Sequence, residues 1–269
     1  MASLENKVIW ITGASSGIGE ALTYELARQK ARLILSARRK EELERVKGNC
    51  LTASQANIRI LPMDLSEAST LKLITELAIQ YFGHIDVLVN NGGISQRSLA
   101  KDTLLEVDRK IMEVDFFGTI TITKHLLPHF LLRKSGHFVN VSSVMGLIGT
   151  PYRSGYAAAK HALHGFFDSL RAELWKDSRS IHVTMICPGW VKTNVSINAL
   201  IGDGTKLNQM DSTTDDGLDP KRVAEKITAA IRSRKKEVYI GGLKEVSAVY
   251  LNRFFPALFA RIVRKAKVR

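Results

Sequence analysis

A buried strand, a glycine-rich turn and a helix follow one another at the start of the chain, and this order constrains the fold most strongly. The strand covers residues 7–11 (KVIWI), the turn residues 12–19 (TGASSGIG), and the helix runs from about Glu20 to Lys30. Glycines let a backbone approach a phosphate closely, and a helix N-terminus offers free N–H groups and the positive end of its dipole. A tight turn without a ligand is the alternative, but the flanking strand and helix favour a nucleotide-pyrophosphate site.

The glycines of this turn are spaced G-x-x-x-G-x-G, which differs from the G-x-G-x-x-G of the usual dinucleotide fingerprint. The strand–turn–helix context nevertheless suits a dinucleotide. Six residues of the turn are therefore predicted to contact it: Gly13, Ser15, Ser16, Gly17, Ile18 and Gly19.

The second predicted strand, residues 32–36 (RLILS), ends in Ala37, Arg38, Arg39 and Lys40. In dinucleotide-binding folds this position meets the adenosine ribose. An acidic residue there accepts from the 2′-hydroxyl, whereas arginine accommodates a 2′-phosphate. Because no acidic residue occurs before Glu41, Arg38 and Arg39 favour NADP(H) over NAD(H). The alternative is a solvated basic start to the next helix.

Strands alternate with helices along most of the chain, which predicts a Rossmann-type, doubly wound parallel α/β sheet of about seven strands. The later strands are predicted at residues 58–61, 85–89, 138–141, 181–186 and 238–240. Residues 1–243 are expected to form a single domain with a substrate loop at 194–218, and residues 244–269 a basic amphipathic extension. A long helix is predicted over about 104–133, with an interruption near Pro128.

Polar and small residues follow the carboxyl ends of these strands, where ligands bind in such sheets. Asp64 either contacts the adenine or caps a helix that begins near Ser66. The residues predicted to contact the cofactor here are Asp64, Leu65, Asn90, Asn91, Gly92, Pro188, Gly189, Val191 and Thr193.

The central stretch, residues 137–160 (HFVNVSSVMGLIGTPYRSGYAAAK), combines a strand that ends in serines with a helix that carries Tyr156 and Lys160. The i,i+4 spacing places that tyrosine and lysine on one helical face. A serine at the strand end, Ser143, can therefore converge with them on one point. An ordinary half-buried tyrosine and a surface lysine are the alternative.

Five motifs in order, TGASSGIG, NNGG, Ser143, YAAAK and PGWVKT, resemble those of the short-chain dehydrogenase/reductase family. Two longer stretches, YRSGYAAAKHALHGFFDSLRAEL and GDGTKLNQMDSTT, resemble its member 7B branch. The resemblance implies that Tyr156 is the general acid in carbonyl reduction and the base in alcohol oxidation. It implies that Lys160 favours loss of the tyrosine proton and holds the nicotinamide ribose, and that Ser143 binds the substrate oxygen. It also implies a homodimer or homotetramer built on the two long helices.

Two residues depart from the family pattern. Gly93 stands where the family usually has alanine, and Asp115, in VDFFG, stands where it usually has asparagine. The resemblance implies that the asparagine positions a water beside the catalytic lysine in a proton relay. An aspartate could accept from that water but adds a charge near Lys160, so Asp115 is an open candidate for the catalytic site.

Apolar residues surround the predicted catalytic serine and tyrosine. Ser143, Met145, Leu147, Tyr152 and Trp190 are predicted to line the substrate pocket. They favour a hydrophobic secondary alcohol and its ketone or aldehyde, such as a steroid, a retinoid or another lipid carbonyl, and so a role in lipid metabolism. The alternative is that some of them are only core. A catalytically weak NADP(H)-binding regulator or scaffold with the same fold is the competing function.

Of the net charge of +13, +6 lies in the last 26 residues of the chain. Residues 244–269 hold one acidic residue, Glu245, and seven basic ones: Lys244, Arg253, Arg261, Arg264, Lys265, Lys267 and Arg269. Apolar residues from Tyr250 to Val263 are predicted to share one helical face, which Pro256 bends or breaks. Such a helix suits peripheral contact with a membrane surface, a sister subunit or the pocket mouth. Nucleic-acid binding is not expected, because no stacking or groove-reading motif accompanies the charge.

Other features of the sequence argue against a disulfide-rich, metal-binding or membrane-spanning protein. The two cysteines, Cys50 and Cys187, are too few for a disulfide framework, and no spacing suggests a metal site. No run of eighteen apolar residues predicts a membrane span, and the short polar start does not resemble a signal peptide. A reducing, cytoplasmic setting is expected, with peripheral membrane contact as an option.

Overall fold

Seven parallel strands form one sheet in the order β3-β2-β1-β4-β5-β6-β7. The computed structural model describes residues 3–265. The strands are β1 Val8–Thr12, β2 Arg32–Ser36, β3 Ile58–Ile60, β4 Val87–Asn90, β5 Gly136–Val141, β6 Ile181–Pro188 and β7 Glu237–Ile240. Because every pair is parallel, all the carboxyl ends lie at one edge. The predicted doubly wound α/β sheet is confirmed.

Helices cover both faces of the sheet. They are α1 Gly17–Arg28, α2 Lys40–Gly48, α3 Thr52–Gln55, α4 Ala68–Phe82, α5 Leu105–Met112, α6 Gly118–Arg133, α7 Ser154–Asp177, α8 Ser212–Asp215, α9 Pro220–Ser233, α10 Leu243–Phe254 and α11 Pro256–Val263. Side chains alternate along β1: Ile9 and Ile11 pack in the cluster that includes α1 and α9, whereas Trp10 packs in the cluster that includes α4, α6 and α7. Burial on both faces explains why the strands read as continuous apolar runs.

The predicted interruption of the long helix near Pro128 is wrong. Helix α6 continues through Pro128, and the irregular turn lies earlier, at the π-helical segment Glu113–Phe117 between α5 and α6. Pro128 is exposed, and so is Lys124, whose carbonyl loses its helical partner. That carbonyl can face water, which makes a proline tolerable inside a helix.

The C-terminal extension is two helices rather than one. α10 ends at Phe254 and α11 begins at Pro256, so the predicted break at this proline is present. Val249 and Phe259 are buried against Val144, Met145 and Ile148, the loop that follows β5. The predicted single apolar face is therefore divided between an inner and an outer side. Lys267 and Arg269 lie outside the described residues. Within residues 3–265, no helix is both long and apolar enough to cross a bilayer.

Candidate active site

A cavity of about 440 Å³ opens at the carboxyl edge of the sheet. It lies where the strand order turns back on itself, between β1 and β4, which is the position at which open α/β sheets bind ligands. Its walls come from the loops after β1, β2, β3, β4, β5 and β6 and from the segment 194–218. Residues that are far apart in the chain therefore meet here.

The glycine-rich turn forms the floor of one end of the cavity. Gly13 and Gly17 have positive φ angles of 63° and 58°, and a Cβ on Gly13 would stand 2.7 Å from the Cα of Gly92. Gly19 lies behind the turn, where a Cβ would come within 2.3 Å of the Gly13 carbonyl oxygen. Of the predicted residues, Gly13, Ser15, Ser16, Gly17 and Ile18 line the cavity and Gly19 does not.

Thr12 and Asn91 tie the ends of β1 and β4 together beneath this turn. The Thr12 hydroxyl oxygen accepts from the backbone N–H groups of Asn91 and Gly92 at 3.0 and 2.9 Å. The Asn91 amide donates to the carbonyls of Thr12 and Gly13, both at 3.1 Å. Asn91 and Gly92 line the cavity, whereas Asn90 lies behind it and donates to Asn140 Oδ1 at 2.9 Å. Asn90 is therefore part of the buried support rather than of the cavity wall.

Arg38 and Arg39 stand exposed at the end of β2 and line the cavity, as do Asp64 and Leu65 after β3. Asp64 Oδ1 accepts from the backbone N–H and the hydroxyl of Ser66 at 2.9 and 2.7 Å. The N-cap position of α4 is Glu67, so Asp64 stabilises the turn before the helix instead of capping it. The cavity at this end carries two cations beside one carboxylate.

The end of β6 and the loop that follows it form another wall of the cavity, next to the glycine-rich turn. Four residues that the sequence predicts to contact the cofactor line this wall: Pro188, Gly189, Val191 and Thr193. A Cβ on Gly17 would lie 3.0 Å from Thr193 Cγ2, so the two segments pack directly against each other.

Ser143, Tyr156 and Lys160 line the same cavity. Ser143 follows β5, and its hydroxyl donates to the Pro188 carbonyl at 3.3 Å and accepts from the Met145 N–H at 3.1 Å. Tyr156 and Lys160 lie one turn apart on α7, with the lysine Nζ 5.5 Å from the centroid of the tyrosine ring. Three groups able to exchange or orient a proton thus face one space.

The start of α7 is fixed by a residue that the sequence did not reveal. Gln96 Oε1 accepts from the backbone N–H groups of Gly155 and Tyr156 at 2.8 and 3.4 Å. These N–H groups belong to the first turn of the helix and have no partner within it. Gln96 therefore positions the helix end that carries Tyr156.

Asp115 contacts Lys160 directly. It lies in the π-helical segment, fully buried, with Oδ2 3.2 Å from Lys160 Nζ and Oδ1 accepting from the Ile94 N–H at 2.7 Å. Burial raises the pKa of Asp115, although the ammonium of Lys160 opposes that shift. Burial alone would lower the pKa of Lys160, but the Asp115 carboxylate and Tyr156 together outweigh it, so the pKa of Lys160 is raised.

The two departures from the family pattern lie next to each other. A Cβ on Gly93 would stand 3.0 Å from Asp115 Oδ2 and 3.2 Å from its Oδ1. Such contacts are tighter than ordinary van der Waals distances, so an alanine at 93 would press on the carboxylate that holds Lys160. Glycine at this position and aspartate at 115 are thus sterically linked.

Only some of the residues predicted to line the substrate pocket line the cavity. Met145 and Trp190 line the cavity, but Leu147 and Tyr152 do not. The 3₁₀ turn Val144–Gly146 directs Leu147 towards α10, where its carbonyl accepts from Asn252 Nδ2 at 3.2 Å. Tyr152 has a φ of 67° and uses its carbonyl to accept from the Ser98 N–H at 3.1 Å.

A buried ion cluster anchors the segment 194–218 beside the cavity. Asp211 Oδ2 lies 2.7 Å from Arg97 Nε and 3.8 Å from Arg153 Nη2, and both guanidiniums line the cavity. The Arg153 guanidinium also lies 4.6 Å from the centre of the Trp190 ring. The sequence did not identify this cluster, because nothing local connects three residues so distant in the chain. Within residues 3–265, no group of side chains is arranged to hold a metal ion.

Comparison with known proteins agrees with this geometry. A sequence model described as short chain dehydrogenase matches residues 7–201. The chain is 43% identical over 256 residues to human dehydrogenase/reductase SDR family member 7, covering 94% of this chain and 75% of that protein. It is 40% identical over 266 residues to the zebrafish (Danio rerio) member 7B, covering 97% of this chain and 85% of that protein. The resemblance read from the motifs is confirmed.

Solved structures share the fold at low identity. A short chain dehydrogenase/reductase from Burkholderia phymatum, in complex with NAD, aligns with a TM-score of 0.84 at 22% identity, covering 96% of each chain. A short chain dehydrogenase from Burkholderia cenocepacia J2315, in complex with NADP, aligns with a TM-score of 0.77 at 23% identity, covering 97% of this chain and 99% of that one.

Proposed function

The chain belongs to the short chain dehydrogenase family, and we propose that it is an NADP(H)-dependent oxidoreductase that interconverts a hydrophobic secondary alcohol and its ketone or aldehyde. One observation carries the proposal: Ser143, Tyr156 and Lys160 line the same cavity as the glycine-rich turn. Hydride transfer to a carbonyl requires a dinucleotide-binding site and proton-exchanging groups in the same cavity.

The residues of the cavity fit a dinucleotide. The turn is so tight that a Cβ at Gly13 would meet Gly92, and α1 begins at Gly17 on the cavity wall, where its free N–H groups suit a pyrophosphate. When bound, the nicotinamide cofactor supplies or accepts the hydride. Neighbouring folds bind NAD or NADP, so the choice of NADP(H) rests on Arg38 and Arg39 at the end of β2, where arginine suits a 2′-phosphate.

Tyr156 is proposed to give its proton to the carbonyl oxygen during reduction and to take it back during oxidation. The Lys160 ammonium beside the ring favours the tyrosinate that this exchange forms, because opposite charges stabilise one another. Such proton transfer contributes roughly 10²–10⁴-fold in rate. The Ser143 hydroxyl, which donates to Pro188 here, would turn to donate to the substrate oxygen as that atom gains charge.

Part of the cavity wall supports an apolar substrate. The lining includes the apolar residues Ile94, Val144, Met145, Trp190, Val195 and Leu200. Arg97 and Arg153 add two buried cations to this lining, and apolar walls combined with convergent polar groups are typical of small-molecule sites. A steroid, a retinoid or another lipid carbonyl suits this lining.

The test is the change in NADPH absorbance with a panel of apolar ketones and aldehydes. Tyr156→Phe should reduce turnover by roughly 10²-fold or more. Tyr81→Phe is the matched control, because Tyr81 is an exposed tyrosine that does not line the cavity and donates its hydroxyl to the Ile60 carbonyl. Equal rates for wild type and Tyr156→Phe would refute the mechanism. Tight NADPH binding without turnover of any substrate would favour the regulator or scaffold instead.

A further inference from the structure

Helices α10 and α11 leave six large apolar side chains exposed. Leu243 is 91% exposed and Phe254 68%, and Leu243, Tyr250 and Phe254 lie at i, i+7 and i+11 along α10, where the ring of the half-exposed Tyr250 also contacts the ring of Tyr239. Phe255, Leu258 and Ile262 continue it along α11, with 63%, 47% and 52% exposed. We call these six residues the outer face.

The outer face is not a poorly packed part of the core. The opposite sides of the same helices are already packed, with Val249 and Phe259 buried and Leu251 and Val263 partly buried in the cluster after β5. Asn252 adds a hydrogen bond to the Leu147 carbonyl at 3.2 Å. Since the inner sides are packed within the chain, the exposed outer face is an apolar patch of the kind that marks an interaction site.

Positive charge surrounds the outer face. Residues 243–265 carry five exposed basic residues and one acidic residue; the basic ones are Lys244, Arg253, Arg261, Arg264 and Lys265. The acidic residue, Glu245, lies against Gly189, Gly241 and Gly242 on the body of the protein, so it does not neutralise the outer face. An apolar stripe edged by cations complements a surface that is apolar inside and anionic outside.

We propose that the outer face docks on the surface of an anionic lipid membrane. Phenylalanine, tyrosine and leucine bury in the headgroup region, while arginine and lysine pair with lipid phosphates and carboxylates. Contact between two copies of this face is disfavoured, because it would bring equal clusters of cations together. The two helices lie along the membrane surface, since neither is long enough to span it.

The docking surface lies close to the cavity. The inner sides of α10 and α11 join one apolar cluster with Val144 and Met145, which line the cavity, and Tyr156 packs against that cluster. One helix layer, about 10 Å, therefore separates the membrane from the cavity wall. If the proposed function holds, an apolar substrate dissolved in the bilayer reaches the site over a short path.

The test is sedimentation of the full chain with vesicles of phosphatidylcholine alone or mixed with phosphatidylserine. The phosphatidylserine vesicles should bind at least about tenfold more protein, and salt should reverse this difference. The double variants Phe254→Ser/Phe255→Ser and Arg253→Glu/Arg261→Glu should each lose most of the binding. Leu73→Ser, an exposed apolar residue on α4 that is 60% exposed, is the matched control and should bind as wild type.

Thermal melting followed by circular dichroism checks that every variant is folded. No vesicle binding by the folded wild type, or unchanged binding by the Phe254→Ser/Phe255→Ser variant, would overturn the proposal. A dimer that dissociates in that variant while vesicle binding stays unchanged would assign the outer face to a second copy. Because the readout is sedimentation and not turnover, failure of the proposed reaction would leave this result unaffected.

Discussion

The ammonium of Lys160 lies 3.2 Å from the carboxylate of Asp115, and both side chains are buried beside the cavity. This ion pair joins the π-helical segment Glu113–Phe117 to α7. Removing one partner of a buried pair leaves an uncompensated charge, so the pair fixes where the lysine stands relative to Tyr156. Asp115 is thus a positioning residue for Lys160 in the proposed mechanism.

Asp115→Asn should lower kcat/KM by about tenfold, which corresponds to about 1.4 kcal/mol of transition-state stabilisation. The Asp115 carboxylate raises the pKa of Lys160, so its loss lets the ammonium deprotonate at a lower pH. The alkaline limb of the pH–rate profile should therefore move to lower pH. A profile identical to that of the wild type would remove Asp115 from the mechanism.

Gly93→Ala should weaken the reaction by displacing the Asp115 carboxylate, since the added Cβ would stand 3.0 Å from Oδ2. In the Asp115→Asn background no ion pair remains to be weakened, so Gly93→Ala should lower kcat/KM by a smaller factor there. A double-mutant cycle on kcat/KM should show a coupling of about 0.5 kcal/mol or more. Strictly additive effects would contradict a link between the two positions.

Arg38→Ala should weaken NADPH binding by roughly 10–100-fold, the value of a hydrogen bond between charged groups. NADH binding should change little, because NADH lacks the 2′-phosphate. Lys40→Ala is the matched control: Lys40 is an exposed cation at the start of α2 and does not line the cavity. Titration of cofactor fluorescence measures both affinities, and equal losses for the two cofactors would contradict the role of Arg38.

Asp86→Asn should destabilise the fold at neutral pH by about 1–3 kcal/mol. Burial alone would raise the pKa of Asp86, but the Val8 N–H at 2.9 Å, Lys7 at 3.7 Å, Arg133 at 3.2 Å and His84 at 3.2 Å lower it below the ordinary 3.8. A carboxyl whose folded pKa is depressed stabilises the fold above its unfolded pKa, and this contribution disappears as the pH falls through the folded value. Urea unfolding should therefore show a difference between wild type and variant that shrinks as the pH falls below about 4. A difference that does not change on acidification would refute this.

Local sequence patterns were sufficient to predict the glycine-rich turn, the shared helical face of Tyr156 and Lys160, and the helix break at Pro256. The turn from Gly13 to Gly19 follows from steric needs that are visible in sequence. The tyrosine and lysine of α7 share a face because four residues make about one helical turn. Pro256 separates two helices for the same kind of local reason, since a proline lacks a backbone donor.

The sequence alone determined the parallel sheet, the glycine-rich turn and the presence of Ser143, Tyr156 and Lys160, because these depend on spacing within one element or on the order of elements. Only the tertiary structure decided the neighbours of those residues. It placed Asp115 on Lys160 and Gly93 on Asp115, turned Leu147 away from the cavity, and brought Arg97 to Asp211 across 114 positions of the chain. Such contacts depend on how separate elements pack, and no periodicity along the chain encodes them.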